Sequence, residues 1–263
     1  VKSSNSRRAN FVIMRRTYRT LNDYEMQHNA EVGLFTRPSF FKAPVKHRHN
    51  MSDPTPTVFV VDDDSSIRKS LSLLLISAGY GVQTFASAKA FLESEQDIRR
   101  GGASCLVLDI KMPGLSGLDL QEALASRDYA IPIIFITGHG DIPITVRAMK
   151  KGAVEFLPKP FDDGDLLGAV KEALLKDSKV RAILNEQRHI MQRLESLTPR
   201  EYEILTYLIT GMLNKQIAYE LNIAERTVKA HRKQVMDKMG VGSMVELVRL
   251  TERVGVKPAD VSI

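Results

Sequence analysis

The middle of the chain alternates between two hydrophobic periodicities. Short apolar runs rich in β-branched residues predict five strands, at 58–61, 82–85, 106–108, 133–136 and 154–157. Between these runs apolar residues recur three or four positions apart, which predicts a helix carrying Ile67, Leu71 and Leu75 and further helices at about 87–95, 117–126, 141–151 and 163–175. Nearly continuous apolar strands separated by helices indicate a parallel sheet that is covered on both faces.

The pattern after residue 175 is helical. Residues 176–197 contain neither glycine nor proline and place apolar residues near helical spacing, which predicts an amphipathic linker helix. Gln187 interrupts the apolar stripe, so we do not expect a strong coiled coil. The segment 198–201 has the sequence TPRE, in which a cap, a proline and a glutamate follow in the order that starts a helix, and Gly211 is expected to end that helix.

Three more short helices are predicted beyond Gly211. We expect Asn214 to cap the first, the second to run from near Glu225 to Gly240, and Ser243 with Glu246 to form a capping box for the third. A tight turn between two short helices is typical of a helix-turn-helix arrangement. The predicted fold is therefore an α/β domain with a five-stranded parallel sheet, followed by an all-α domain.

Charge is distributed unevenly along the chain. The net charge is +6 over 263 residues, with +7 in residues 1–50, −5 in residues 51–175 and +4 in residues 176–263. This asymmetry is typical of a regulatory unit fused to a nucleic-acid-binding unit. Cys105 is the single cysteine and lies in an apolar run, so we expect a buried thiol, no internal disulfide and a reducing, cytoplasmic location. No apolar stretch approaches the ~18–20 residues of a membrane span, so no membrane partner is expected.

The first fifty residues differ from the rest of the sequence. Their apolar residues come in short pieces, and a secretory signal would need a continuous apolar core of about 7–15 residues. We predict that translation starts at Met51, directly before the first strand, and we assign no fold to residues 1–55. The alternative is a basic arm that assists DNA binding.

Polar residues stand where the predicted strands end. Asp62 and Asp63 follow the first strand, Asp109 the third, Thr137 the fourth and Lys159 the fifth. Because the carboxyl ends of parallel strands lie at one edge of the sheet, these five residues are expected to meet in one crevice. Their neighbours have simpler interpretations: we expect Asp64 to cap the following helix and His139 to be a loop residue.

Four segments around these residues resemble, in order and spacing, the receiver domain of response regulators. They are VVDDD (60–64), DIKMPG (109–114), TGHG (137–140) and KPF (159–161). The resemblance implies a flavodoxin-like, doubly wound fold and a phosphoacceptor at Asp109. It implies Mg²⁺ bound by Asp62, Asp63, Asp109 and the backbone carbonyl of Lys111, with Asp62 acting partly through water. It also implies a cis Lys159–Pro160 bond.

The same resemblance assigns a phosphorylation-dependent switch. Lys159 would neutralise the phosphoryl oxygens, and the Thr137 hydroxyl would bind one of them and draw the loop after strand four inward. Phe156 occupies the place of the aromatic switch residue, although plain core packing remains the alternative. The surface of the fourth helix, fifth strand and fifth helix would then form a homodimer.

Two enzyme classes are excluded because this sequence lacks residues that they require. Phosphatases of the haloacid dehalogenase type need a second aspartate two positions after the nucleophile, where this chain has Lys111. A flavodoxin needs a Ser/Thr-rich loop after the first strand, where this chain is acidic and would repel a flavin phosphate. We therefore predict a phosphoacceptor protein with only slow autodephosphorylation, and not an enzyme.

The basic C-terminal part resembles the DNA-binding domain of the LuxR family. The matching segments are LTPRE (197–201), NKQIA (214–218), RTVKAH (226–231) and KMGV (238–241), and the whole chain resembles the FixJ-like response regulators. Val228, Val235 and Met239 are expected to face the core of this domain. The expected base readers are Lys229, Ala230 and Lys233, and the expected phosphate contacts are Lys215, Arg226, Thr227 and Arg232.

Two points in the recognition helix stay open. His231 contacts either phosphate or the protein itself. Ala224 stands where the family often has a capping serine, so Glu225 or a DNA phosphate would hold the start of the helix.

These observations together predict a transcription factor that is switched by phosphorylation. A sensor histidine kinase would phosphorylate the receiver and promote homodimerisation and binding to promoter DNA, with RNA polymerase as a further partner. The predicted parts are a basic extension (1–55), a receiver domain (56–175), a linker (176–196), a helix-turn-helix domain (197–256) and a tail (257–263). The alternatives are a switch that acts through protein–protein contacts, and a DNA-binding protein whose receiver is no longer phosphorylated.

Overall fold

The computed structural model describes residues 55–94, 102–126, 131–138 and 142–260. The interpretations of residues 1–50, of Met51 and of His139 concern residues outside these ranges. The chain divides into two compact units, with the division between Arg181 and Ala182.

A five-stranded parallel sheet forms the first unit, as predicted. Its strands are β1 (Thr57–Val61), β2 (Gly81–Phe85), β3 (Ser104–Asp109), β4 (Ile133–Thr137) and β5 (Glu155–Pro158), in the order β2-β1-β3-β4-β5. The central strands β3 and β4 are buried along their whole length, which explains their uninterrupted apolar sequences. The strand order reverses between β1 and β3, so the crevice between the ends of these two strands is the expected ligand site of the fold.

Helices cover both faces of the sheet. They are α1 (Ser65–Ser77), α2 (Ala88–Glu93), α3 (Gly117–Ser126), α4 (Ile142–Lys150) and α5 (Asp163–Glu195). One buried cluster joins the sheet to α1 and α5, and a second joins it to α2, α3 and α4. Cys105 lies in the α1/α5 cluster and is fully buried, as expected.

Helix α5 is longer than the sequence pattern indicated. We expected a helix ending near residue 175 and a separate linker helix, whereas one helix runs from Asp163 to Glu195 without a break. Within it, the buried Asp177 carboxylate accepts the Ser104 N–H at 2.7 Å and the Arg181 Nε at 2.5 Å, and Arg181 Nη2 donates to Ser104 Oγ at 3.1 Å. These bonds tie the helix to the start of β3.

The second unit contains four short helices and the end of α5. They are α6 (Pro199–Leu208), α7 (Asn214–Glu220), α8 (Glu225–Met239) and α9 (Met244–Arg253). Ile190 and Leu194 of α5 share one buried cluster with apolar residues of all four helices. No helix in the described part of the chain is long and apolar enough to cross a membrane.

Two predicted caps differ from the structure. Asn214 is the first helical residue of α7 rather than its cap, which is Leu213, and the Asn214 Oδ1 accepts Arg232 Nη1 at 3.3 Å. Ser243 does cap α9 through the Glu246 N–H, but the Glu246 carboxylate accepts from the N–H of Gly242 instead of Ser243, so the capping box is only half formed.

Candidate functional sites

The side chains of three of the five predicted strand-end residues are joined by hydrogen bonds. Asp62 follows β1 directly and Asp109 is the last residue of the neighbouring β3, so their side chains lie at the switch point of the sheet. Lys159 Nζ donates to Asp62 Oδ2 at 2.8 Å and to Asp109 Oδ1 at 3.0 Å. One ammonium group therefore bridges two carboxylates from segments far apart in the sequence.

The edge of the sheet positions Lys159. Its backbone N–H donates to the carbonyl oxygen of Thr137 at 2.7 Å, which fixes the residue beside the end of β4. The Lys159–Pro160 peptide bond is cis, as expected. Thr137 is buried at the end of β4, which separates β5 from β3. The lysine side chain thus crosses one strand to reach the two aspartates.

Local hydrogen bonds hold Asp62 in place. Its Oδ1 accepts the Asp64 N–H at 2.8 Å, and its carbonyl oxygen accepts Arg68 Nη1 at 2.7 Å. Asp64 caps α1 through the N–H groups of Ser66 and Ile67, as predicted, and these bonds lower the pKa of its carboxyl.

Burial governs the electrostatics of this site. Asp62 and Asp109 are only 1% and 5% exposed. Burial raises the pKa of the Asp109 carboxyl, against the opposing effect of its hydrogen bond from Lys159. Burial alone would lower the pKa of Lys159, but its bonds to the two aspartates outweigh this effect and raise that pKa. Lys159 therefore stays charged at neutral pH.

The three carboxylates predicted to bind Mg²⁺ do not all converge. Asp63 is exposed, Asp62 and Asp109 contact Lys159, and the backbone of Lys111 lies beside the Asp109 carboxylate and bonds to it. Within the described ranges, no three His, Cys, Asp or Glu side chains form a group able to hold a metal ion. The structure thus brings together two of the three predicted carboxylates.

Phe156 packs against the core of the first unit. It lies opposite Phe135 in the register of β4 and β5 and contacts the cluster that includes α2, α3 and α4. Its side chain is half-buried. Both the switch role and the core role are compatible with this position.

Gly117 belongs to the site, although the sequence pattern showed only a glycine at the start of a predicted helix. Its N–H donates to the Ile110 carbonyl at 3.0 Å, and a Cβ at this position would lie 2.3 Å from the carbonyl oxygen of Asp109. Because that oxygen is backbone, it cannot move aside as a side chain could.

We therefore expect Gly117→Ala to destabilise the first unit by about 1–3 kcal/mol, the usual cost of overpacking, in chemical denaturation experiments. Gly164→Ala is the matched control, because no described atom beyond its own helix lies within 4 Å of the added Cβ. The control should be neutral or slightly stabilising. Equal stability of the two variants would contradict the close contact at Gly117.

Helix α8 presents a basic surface and an apolar one, as predicted. Val228, Val235 and Met239 are fully buried. The exposed predicted contacts are Arg226, Lys229, Ala230 and Lys233 on α8 and Lys215 on α7. Thr227, His231 and Arg232 are half-buried, and Arg232 contacts Asn214 as described above.

The start of α8 has no side-chain cap. Ala224 occupies the cap position and has no polar side-chain atom to offer. Glu225 places a negative charge in the first turn, which the helix dipole favours, and its carboxylate pairs with Lys229 at 3.0 Å.

Glu201 connects the start of α6 to the end of α8. It completes the predicted capping box, since its Oε2 accepts the Thr198 N–H at 2.7 Å, and it also accepts Lys238 Nζ at 2.6 Å. The hydrogen bonds from Lys238 and Thr198 lower the pKa of Glu201 to about 2.

A lowered pKa means that folding favours the ionised carboxylate. Its stabilisation is complete above the ordinary value of 4.5 and is lost as the pH falls towards 2. We expect the difference in unfolding free energy between wild type and Glu201→Gln to shrink over this range. Glu203→Gln is the matched control, because Glu203 lies in an exposed ion pair with Arg200 and such pairs contribute little to stability. A pH-independent difference for Glu201→Gln would contradict the assigned ionisation.

Comparison with known proteins assigns both units. Residues 58–171 match the family model described as response regulator receiver domain, and residues 195–251 match that of bacterial regulatory proteins of the luxR family. The chain is 48% identical to nodulation protein W of Bradyrhizobium diazoefficiens over 209 residues, covering 79% of this chain and 90% of the relative. It is 43% identical over 203 residues to the transcriptional regulatory protein FixJ of Azorhizobium caulinodans, covering 77% and 95%.

A solved structure agrees with these matches. The response regulator StyR has 52% sequence identity and a TM-score of 0.69, with 76% of this chain and 99% of that chain covered. The aligned region includes both matched parts of this chain and spans nearly the full length of these relatives. The chain belongs to the response regulators that join a receiver domain to a LuxR-type DNA-binding domain, and its relatives include FixJ-type transcriptional regulators.

Proposed function

We propose that phosphorylation of Asp109 by a sensor histidine kinase switches this chain into a DNA-binding transcription factor. The observation that carries the proposal is the buried Asp109 at the switch point of the sheet, bridged to Asp62 by Lys159. A structural salt bridge would need one carboxylate. Two buried carboxylates on one ammonium leave a net negative charge, and such clusters mark functional sites.

The chemistry requires one bond exchange. A carboxylate oxygen of Asp109 attacks the phosphorus of the phosphohistidine, a P–O bond forms and the P–N bond breaks. The electron pair of the broken bond stays on the imidazole nitrogen, which regains a proton from solvent. Lys159 already contacts Asp109, so its positive charge stands beside the phosphoryl oxygens in the product.

The donor set suits Mg²⁺. Asp62, Asp63, Asp109 and the backbone carbonyl of Lys111 offer only oxygen atoms, which this ion prefers, and the buried negative charge of the Asp62/Asp109/Lys159 cluster would be balanced by a divalent cation. When bound, the ion neutralises charge on the transferred phosphoryl group.

The switch would be transmitted through Thr137 and Phe156 to the surface of α4. Thr137 lies beside Lys159 at the end of β4, and Phe156 lies on the next strand among side chains that contact α4. On α4 the apolar side chains of Ile142, Val146 and Met149 are 76%, 44% and 39% exposed. An apolar stripe at helical spacing supports a homodimer that forms on phosphorylation.

DNA binding would use the exposed basic surface of α8. Lys229, Ala230 and Lys233 would read bases, while Lys215, Arg226, Thr227 and Arg232 would contact phosphates. Promoter binding by a cytoplasmic regulator would bring RNA polymerase as a further partner.

The decisive experiment measures DNA binding with and without acetyl phosphate and Mg²⁺. DNA fragments selected from a random pool by the phosphorylated chain serve as probe, and wild type is compared with Asp109→Asn. We expect acetyl phosphate to strengthen binding by wild type only. DNA binding that changes neither with acetyl phosphate nor with Asp109→Asn would contradict the phosphorylation switch. Failure to select any DNA in either state would favour a switch that acts through protein–protein contacts.

A further inference from the structure

At the C-terminal end of α8, a residue from outside the helix donates a hydrogen bond to one of the last carbonyl groups. Helix ends leave four such carbonyls without partners inside the helix. Gly240 adopts a left-handed conformation with φ of +63°, and its N–H donates to Asp237 while the Val241 N–H donates to Met236. The carbonyl oxygen of Met239, the last helical residue, accepts a bond from outside the helix, namely from Arg193 Nη1 at 2.8 Å.

The guanidinium group of Arg193 also covers Gly240. A Cβ at Gly240 would lie 3.2 Å from Arg193 Nη1 and 3.3 Å from its Cζ. The glycine therefore serves two purposes: it permits the left-handed turn and lets the planar guanidinium lie against the backbone. A cation at this place also suits the negative end of the helix dipole.

A second contact fastens the same end of α8. Lys238 Nζ donates to Glu201 Oε2 at 2.6 Å and to the carbonyl oxygen of Ser196 at 3.2 Å. The last turn of α8 is thus held by Arg193 and Ser196 at the end of the long helix and by the first turn of α6. The opposite end begins at Ala224 without a side-chain cap.

We infer that Arg193 is a positioning residue for DNA recognition, which it serves by fixing the C-terminal end of α8. The inference rests on the DNA-binding function proposed above. Arg226, Lys229 and Lys233 all project from this helix, so its orientation decides where their donors point. The side chains that read DNA have to be held to within about 0.5 Å of their working positions. The buried apolar face of α8 alone would let the helix tilt, and a hydrogen bond at the helix end restrains this tilting.

The test compares Arg193→Ala with Arg188→Ala in the full chain. Both residues are exposed and both changes remove one positive charge from the same helix, but Arg188 Nη1 bonds to Asn185 one turn away and not to α8. Affinity is measured for a DNA fragment selected by the phosphorylated wild type and for an unrelated duplex of equal length. We expect Arg193→Ala to weaken specific binding about tenfold and non-specific binding less than about twofold, because base readout needs orientation and phosphate attraction does not.

Two further measurements make the result decisive. Arg193→Lys should restore part of the specific affinity, because a lysine can still donate to the Met239 carbonyl. Hydrogen exchange at the amides of Gly240 and Val241 should be faster in Arg193→Ala than in Arg188→Ala, and this readout does not depend on DNA.

Equal losses on both DNAs, or unchanged affinities, would overturn the positioning role. If wild type bound no DNA, the proposed function would fail, and unchanged exchange at Gly240 and Val241 would then overturn the anchor as well. Faster exchange in Arg193→Ala would support the anchor in that case.

Discussion

Replacing Asp109 with asparagine is expected to abolish phosphoryl uptake from acetyl phosphate. Asparagine keeps the shape of the side chain and the amide can still contact Lys159, but it is not a nucleophile towards phosphorus. Wild type should gain one phosphoryl group per chain, measured by intact-protein mass spectrometry in the presence of Mg²⁺. Removing Mg²⁺ with a chelator should suppress uptake by wild type as well.

The control for this experiment is Asp119→Asn. Asp119 is an exposed aspartate whose carboxylate accepts from the Ser116 N–H and hydroxyl at the start of α3, so the substitution is chemically the same but lies outside the site. Uptake should be unchanged in this variant. Full uptake by Asp109→Asn would show that another residue is the phosphoacceptor.

Neutralising the exposed basic residues of α8 should produce the second large effect. In a triple variant with alanine at Arg226, Lys229 and Lys233, affinity for the selected DNA should fall by at least about a hundredfold, since each good base contact contributes about 1–3 kcal/mol and a phosphate contact is lost as well. The slope of log affinity against log salt should become shallower by about one for each phosphate contact removed. Fluorescence anisotropy across a salt series measures both quantities.

A charge-matched variant separates the contribution of α8 to DNA affinity from that of the net charge of the chain. Lys171, Lys179 and Lys257 are exposed lysines outside α8, and replacing all three with alanine lowers the net charge by the same amount. This variant should retain specific binding within a few fold. If it lost as much affinity as the α8 variant, the general charge of the chain and not the face of α8 would determine binding.

The polar residues at the strand ends were predictable because each apolar run ends at the edge of the sheet. The ends of these runs located Asp62, Asp109 and Thr137 from the sequence, and the resemblance to receivers added their roles. The inward residues of α8 followed from the helical period in the same way. Both features depend on local periodicity, which the sequence carries directly.

Contacts between distant segments were not predictable from periodicity. Asp177 accepts a hydrogen bond from the start of β3, 73 residues earlier, and periodicity gives no sign of this bond. Asn214 looked like a cap because nothing in the sequence shows that Arg232 approaches it. The close contact of Gly117 with the Asp109 carbonyl and the hydrogen bond from the Arg193 side chain to the Met239 carbonyl likewise depend on tertiary packing.

Labelling of the buried Cys105 thiol can be used to follow unfolding of the first unit. Cys105 is the single cysteine of the sequence, it is fully enclosed beside β1 and α5, and burial raises the pKa of its thiol. Thiol reagents attack the thiolate, so in the folded chain Cys105 is shielded both by access and by protonation. The rate at which a thiol reagent labels Cys105 therefore measures how often the central sheet opens. A cysteine introduced on an exposed helix can be labelled selectively while the native residue stays in place.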